Sequence, residues 1–563
     1  MCILALPALI TFTVGISGAE ASDTEGVALS KSLLQMECGS NDTLWATTLA
    51  GETITNIDWH CDDEAIATID NGIVKALGVG TATISIVSAD GNYRAACTIN
   101  VREAGTPLVD HSLPPGMPQG MGGQGRPIMP RRQGDGEGDR QMPQGMPQGM
   151  GSFGGQGMPQ GMGSQNGGGP GGPGMGGFNQ SDESTATDPN GYVQTEGENS
   201  IAGTAYSSST TDANAVKVSG GVLNITDCTL MKDGGDSSNP DGSSFYGLNS
   251  AVLASKEGTI NINGGFISTN AIGANGIVAY GGTVNVSNVS ISCENRLSRG
   301  IHATGKGTIN AHDLNITTQG ANSSVIALDR GGGSVNVFGG NYTCAGTDCA
   351  VLYSTGELTV NGILGSSVQG EMGVIEGNNY IAINNSDLTS GADLTSRGLM
   401  ILQSGSGDAG DGLNGIITVA GGSLTMTNQY APLIEIVTNV TGKVTLDGVK
   451  VRVPSGTLMM VDYNKRWRTY GATGVLVLSG KGTNYNGNIV VDNYSAAKVT
   501  VNEGVVWEGA YDNADSARET TLDINGGTWR LTADSHVDNI TVRNGGQIDE
   551  NGYKLTCDNM EEK

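Results

Sequence analysis

The densest chemistry in the chain sits in one nonapeptide, Asp462-Tyr463-Asn464-Lys465-Arg466-Trp467-Arg468-Thr469-Tyr470. Three cations and three aromatics in so short a run can stack sugar rings and pair with uronate or sulfate groups. Tyr463, Lys465, Arg466, Trp467, Arg468 and Tyr470 are therefore the candidate ligand-binding residues. The competing account has Trp467 packing a connection between elements and the cations paired to nearby acids. Two Gly-rich acidic segments come next, Asp233-Gly-Gly-Asp236-Ser-Ser-Asn239-Pro-Asp241 and Asp408-Ala-Gly-Asp411-Gly-Leu-Asn414. Clustered oxygen ligands in such loops suit a hard cation, which makes Asp233, Asp236, Asp241, Asp408 and Asp411 candidate calcium ligands. Neither segment has EF-hand spacing, and acidic loops also serve solubility. Methionines at regular spacing, from Met117 to Met162, are soft donors of the kind that hold Cu(I), but no Cys or His lies among them.

Covalent chemistry is harder to find. Glycoside hydrolysis needs two carboxylates about 5 to 9.5 Å apart. The acids here fall mostly at turn positions, as Asp227 and Asp313 do, and no hydrolytic pair is visible. Elimination from a uronate would want Arg or Lys beside Ca²⁺; Arg452-Val453-Pro454 has no neighbouring acids to hold one. The histidines show no ligand-like i, i+4 pair, although His302 and His312 fall close enough in sequence to share one coil.

These residues must be positioned by a chain of 563 residues with 90 Gly, 15% charged and 5% aromatic residues. That composition disfavours helical bundles, since Gly costs about 1 kcal/mol per helical position relative to Ala. The net charge of −27 opposes nonspecific attraction to nucleic acid or anionic lipid. Residues 3 to 14 form an apolar run followed by Ala19-Glu20-Ala21, the pattern of a cleaved export signal, so residues 1–21 read as a signal peptide and the protein as extracellular or cell-surface. No other apolar stretch approaches the ~18 residues of a spanning helix. Cys344 and Cys349 are close enough for a local bridge, and buried thiols are an equal reading.

Residues 22–104 alternate apolar and polar in short runs punctuated by Asp70-Asn71-Gly72 and Asp90-Gly91-Asn92, the grammar of a small β-sandwich. Residues 105–187 are Gly, Pro, Met and Gln with few core formers, and read as a disordered linker. From residue 188 to 563 a five-residue phrase recurs: apolar, usually polar, apolar, any, then Gly, Asn or Asp. Its instances begin at Leu223, Ile260, Val284, Ile309, Val335, Leu358, Ile381, Leu424, Val444, Leu476, Ile489, Leu522 and Ile540. The second place departs from polar at Ala382, Val477 and Val490. Every fifth residue tolerates φ > 0, so each phrase predicts a strand ending in a fixed corner. A second marker recurs at Val252, Ile277, Ile301, Val325, Val351, Val374 and Leu399. A period near ~25 is too short for a domain and suits one turn of a parallel β-solenoid, of about 15 coils and two or three strands per coil. The expectation is an all-β protein whose main body is a right-handed parallel β-helix. Period two would point Asn224, Asn261, Asn285, Asn310 and Asn336 outward in one ladder, able to bind a glycan or ordered water, or simply to satisfy one another.

Trp59, Ala67-Thr68-Ile69-Asp70, Gly72, Gly78-Val79-Gly80-Thr81-Ala82-Thr83-Ile84 and the run Cys97 to Val101 resemble, in order, the bacterial immunoglobulin-like domain, group 2. That resemblance implies a spacer or adhesive stalk of a surface protein. Trp467, Gly474-Val475-Leu476-Val477-Leu478, Thr528-Trp529-Arg530-Leu531 and Asn551-Gly552-Tyr553-Lys554-Leu555 resemble the β-helix of autotransporter-type adhesin passengers. The repeat region as a whole is similar to the pectin-lyase superfamily and its noncatalytic polysaccharide-binding relatives. Together they imply an adhesin-like binder of a polysaccharide or host glycan. A lyase or hydrolase of the pectin-lyase fold and a structural cell-envelope protein are the alternatives.

Overall fold

The computed structural model describes residues 27–31, 33–48, 53–54, 57–87, 94–104, 185–391, 397–403, 414–463 and 471–563. The signal-peptide reading (1–21) and nearly all of the linker reading (105–184) lie outside these residues. Phrase after phrase of inward apolar and outward polar residues builds a right-handed parallel β-helix. Face one is a 12-stranded sheet running from Tyr192–Gln194 to Asn488–Val491. Face two is a single register column from Glu198–Ala202 through Thr283–Ser287 to Leu555–Glu562. Its fifteen strands are joined by consecutive parallel pairings, matching the expected coil number. Face three runs from Ala205–Ser208 to Lys450–Arg452 and resumes in a four-stranded sheet from Asn484–Asn486 to Gln547–Asp549. At about 4.8 Å per rung, the column spans nearly 70 Å.

The corners show why Gly, Asn or Asp closes most rungs; the Val499 rung has Glu503 at that place and turns at Gly504, φ 70°. Asp227, Asn288, Asp313, Asn385 and Asn544 have φ of 49, 57, 50, 48 and 53°, and Gly264, Gly339, Gly362, Gly448, Gly480 and Gly526 are also left-handed. Gly has no Cβ to crowd the following carbonyl, and Asn and Asp offset that crowding by hydrogen-bonding locally through a short polar side chain. Two phrases are misplaced by the sequence pattern. Leu424 lies on face three and Ile489 on face one, and their fifth residues, Asn428 and Asn493, are not among those of positive φ. Among the face-two rungs the phrase set omits is Ile417-Thr418-Val419-Ala420-Gly421, with Gly421 at φ 68°. The second marker also slips. Ile326 and Leu352, not Val325 and Val351, occupy the register of Ile277 and Ile301, and Val374 faces outward beside inward Gly373.

One continuous core runs the length of the rod, from Val216 to Ile540. Toward the C-terminal end it is filled by aromatics. The Trp507 and Trp529 rings stack at 5.2 Å and 7°, and their indole N–H groups donate to the Gly487 and Gly509 carbonyls at 2.9 Å. Face-to-face stacking follows from the vertical register of adjacent rungs. The described cysteines are free thiols. Burial pushes Cys344 up to about 12 and Cys349 up to about 11, so neither is an activated nucleophile. No helix among the described residues is long and apolar enough to cross a membrane.

The N-terminal region folds as small sheets, chiefly Leu33–Glu37, Arg94–Arg102, Gly80–Val87 and Asp58–Cys61 in one and Asn41–Thr43, Ile73–Ala76 and Ala67–Asp70 in the other, around Leu34, Ala82, Ile84, Cys97 and Ile99. This sandwich and the rod form one unit. The outward side of Gly80–Val87 and Arg94–Arg102 lies on face two of the rod. Thr98 Oγ1 meets Thr418 Oγ1 at 3.0 Å, Ala96 N–H donates to Asn384 Oδ1 at 3.2 Å, and Asn100 Nδ2 donates to the Tyr380 hydroxyl at 2.8 Å. Arg94 Nη1 pairs with buried Asp447 at 2.8 Å, and Lys443 Nζ reaches the Thr81 carbonyl at 2.8 Å and Asp62 at 3.5 Å. A Cβ on Gly448 would fall on the Arg94 guanidinium, so a left-handed corner also makes room for the anchor.

Candidate functional site

Face two carries two outward columns. In the first, Asn224, Asn261, Asn285, Asn310 and Asn336 stand in exact-rung succession. Each amide donates to the one before it: Asn261 to Asn224 and Asn285 to Asn261 at 2.8 Å, Asn310 to Asn285 at 2.9 Å, Asn336 to Asn310 at 3.2 Å. The mutual-satisfaction reading of the ladder is therefore correct as far as it goes. Each amide has two N–H donors and an oxygen with two lone pairs, and the ladder uses one of each, which leaves one donor and one acceptor per rung for an outside partner. In the second column stand Thr226, Asn263, Ser287, His312 and Phe338, where the imidazole and phenyl rings stack at 6.4 Å and 22°. Between the columns lies an open groove of ≈ 390 Å³, lined by Asn224, Asn261, Asn263, Asn285, Asn310 and His312 among others. Asp313 Oδ2 holds His312 Nδ1 at 2.7 Å, fixing the ring at the groove edge.

The column does not stay polar. Beyond Asn336 it continues as Thr359, Ala382, Thr418, Thr445 and Val477, each buried. Ala382, Thr418 and Thr445 lie in the stretch the sandwich covers. One face-two departure from polarity in the repeat, Ala382, is thereby placed: small or apolar side chains let a second sheet approach closely, which an amide ladder would not. The third departure, Val490, is on face one and is exposed.

Face one brings together acids that the sequence keeps one coil apart. Glu435 and Asp462 project outward from adjacent strands, and the pairing of Glu435 with Met460 and of Val437 with Asp462 sets them diagonally. Diagonal neighbours lie about 7 to 8 Å apart at Cα. Arg397 Nε sits 2.9 Å from Glu435 Oε2, while Glu435 Oε1 and Asp462 Oδ1 are buried without a hydrogen-bond partner among the described residues. Burial pushes the Glu435 carboxyl up to about 7, with Arg397 opposing and Asp462 adding to the rise; burial and Asp492 raise Asp462. Asp492 accepts from the Tyr463 and Tyr494 backbone N–H groups at 2.8 and 3.0 Å, and the two tyrosine rings lie 5.3 Å apart. Of the candidate ligand-binding residues, Tyr463 is thus beside this acid group. Lys465, Arg466, Trp467, Arg468 and Tyr470 lie outside the described residues.

Asp408 and Asp411 also lie outside them. Asp236 Oδ1 accepts from Ile272 N–H at 2.9 Å, Asp233 N–H donates to the Ser208 carbonyl at 3.0 Å, and Asp241 is in the first turn of the short helix Pro240–Tyr246. That helix covers part of face one: Thr304 Oγ1 donates to the Phe245 carbonyl and Arg299 Nη1 to Ser244 Oγ, each at 3.0 Å. Beneath it His302 is fully buried on face one, while His312 is exposed on face two, so the two do not form a pair. The chain matches no protein-family model and no curated protein.

Proposed function

We propose that this protein is an exported, surface-associated binder of polysaccharide, and that the open stretch of the amide ladder is its binding surface. The observation that carries the reading is the groove itself, a repeating, uncharged row of donors and acceptors with a ring pair at its edge. A polymer of hydroxylated rings presents donors and acceptors at a regular spacing, and rungs about 4.8 Å apart can meet it repeatedly, two rungs spanning about 9.6 Å. Amide groups bond hydroxyls without the desolvation penalty of a charge, and a stacked aromatic supports the apolar face of a sugar. The groove's own lining favours a neutral glycan over a uronate. The resemblances of the N-terminal region to group 2 bacterial immunoglobulin-like domains and of the rod to adhesin passengers and noncatalytic pectin-lyase-like proteins support the same reading, as do the export-signal pattern and the acidic net charge.

The test is retention on insoluble neutral polysaccharides and a glycan array, comparing wild type with Asn261→Ala/Asn285→Ala/Asn310→Ala. Binding abolished in the triple variant, with the thermal transition kept, is the expected result. A second reading, glycoside hydrolysis, is favoured by the raised Glu435 carboxyl beside Asp462. It predicts reducing-sugar release that Glu435→Gln abolishes.

A further inference from the structure

The last rungs of face two hold a convergence that neither the ladder nor the acid group uses. On Ser535–Arg543, period two places His536 and Asp538 on the outward side with buried Val537 between them. The next rung, Leu555–Glu562, sets Thr556 opposite His536 and Asp558 beside Asp538. His536, Asp538 and Asp558 each offer a ligand atom within 4.8 Å of the others. A third carboxylate arrives from the turn that precedes Glu519–Asn525: Asp515 Oδ1 is 3.4 Å from His536 Nε2, and Asp538 Oδ1 is 3.5 Å from the same nitrogen.

These separations are long for hydrogen bonds, which cluster near 2.7 to 3.2 Å. The two contacts to His536 Nε2 also suit ligands of one metal ion, since bonds of about 2.0 to 2.1 Å at tetrahedral angles put donor atoms roughly 3.3 to 3.4 Å apart, and Asp558 lies within 4.8 Å of His536 and Asp538. The supporting contacts are those such a site needs. His536 Nδ1 is 3.0 Å from Thr556 Oγ1, which orients the ring and leaves Nε2 facing the carboxylates. Asp538 Oδ2 is held by Thr520 N–H at 2.6 Å and Thr520 Oγ1 at 2.8 Å, which leaves Oδ1 for the ion. The Asp515 turn is fixed by Asp512, whose carboxylate accepts from the Ser516 and Ala517 N–H groups. Outer partners of this kind typically account for 10- to 100-fold in metal affinity.

We propose that His536, Asp538 and Asp558, with Asp515, form a site for a divalent transition metal of the zinc type that clamps the final rung to the one below it and to the Asp515 turn. One imidazole with carboxylates is a borderline donor set, harder than a thiolate site and softer than a calcium cage.

The experiment uses the full chain stripped with chelator and titrated at about pH 7.5, where an ordinary imidazole is mostly neutral. Zn²⁺ is followed by calorimetry and Co²⁺ by its visible absorption. One equivalent of Zn²⁺, an intense tetrahedral Co²⁺ band, and loss of both in His536→Ala and in Asp538→Asn are expected. Thr556→Val, which removes only the orienting contact, should weaken Zn²⁺ binding about 10- to 100-fold. Uptake without the tetrahedral band, or binding equal in wild type and in the His536→Ala/Asp538→Asn variant, would overturn the assignment. Far-ultraviolet circular dichroism of each variant separates a lost site from a lost fold.

Discussion

Along a single column of the rod, the same strand geometry presents two different surfaces. From Asn224 to Asn336 the outward residues are amides, bonded rung to rung and open to solvent. From Ala382 to Thr445 they are small residues roofed by the N-terminal sandwich. The main chain does not distinguish the two stretches, since corner, register and rise are shared. The difference lies in what the outward side chain requires of its surroundings. An amide satisfied on one side by its neighbour still needs water or a ligand on the other, whereas Thr, Ala and Val tolerate a second sheet laid across them. A solenoid can therefore divide one face into an open polar surface and an internal joint by changing one side chain per coil.

The largest effect is expected at the joint. Arg94 is the cation on Asp447, whose side chain is 4% exposed. Replacing Arg94 with Ala leaves that carboxylate buried and unpaired, at a cost of about 3 to 5 kcal/mol. Calorimetry should then resolve a separate, earlier transition for the sandwich, and limited proteolysis should release it from an intact rod. Lys31→Ala, which removes an exposed pair with Asp42, should change stability by less than about 1 kcal/mol. If Arg94→Ala unfolds in the same single step as wild type, the hydroxyl and amide contacts suffice and the joint is not electrostatic.

The contrast between covered and open surface extends to face one, where two buried groups give opposite pH dependences. His302 is fully buried and neutral; burial, with Arg299 adding, holds it well below its ordinary value. Below about pH 6.5 the unfolded chain takes up a proton that the native chain refuses. Stability should therefore fall with acidification by up to ~1.4 kcal/mol per pH unit. Glu435 behaves in the other sense. Its carboxyl, raised to about 7, is protonated in the native state where the unfolded chain has already lost the proton, so its contribution is full below about pH 4.5 and declines as pH rises to about 7. Urea midpoints across this range should show the acid limb flatten in His302→Leu and the neutral limb flatten in Glu435→Gln. An unchanged acid limb in His302→Leu would assign it to other groups.

What the sequence disclosed follows from which constraints are local. A left-handed corner admits few residues, so Asp227, Gly264, Asn288 and their successors mark the rungs plainly. Leu424 and Ile489 misled because strands on other faces obey the same alternation; Ile417-Thr418-Val419-Ala420-Gly421 fits the phrase as well as they do, so alternation and corner residue alone do not say which face a strand joins. Ala382 is visible as a departure, but nothing local says what covers it; the covering strand, Arg94–Arg102, is some 290 residues earlier. Glu435 and Asp462 meet only because one coil separates them. Helical spacing offers His536 no partner, whereas a strand supplies them two residues on, at Asp538, and one rung further, at Asp558.

The smallest effect should come from the open stretch. Asn285 donates to Asn261 and accepts from Asn310, so Asn285→Ala breaks the ladder at its centre. Both bonds are exposed to water, which replaces them, and each is worth about 0.5 to 1.5 kcal/mol at most. Solenoid stability is a sum over rungs and their interfaces, so the loss should stay local and the urea midpoint should shift only slightly. Asn285→Thr sharpens the comparison, because it places the residue type of Thr418 and Thr445 on an open rung. Stability should be nearly unchanged while retention on neutral polysaccharide falls. A Thr variant that binds as well as wild type would mean that the rung's shape, and not its amide, is what the glycan meets.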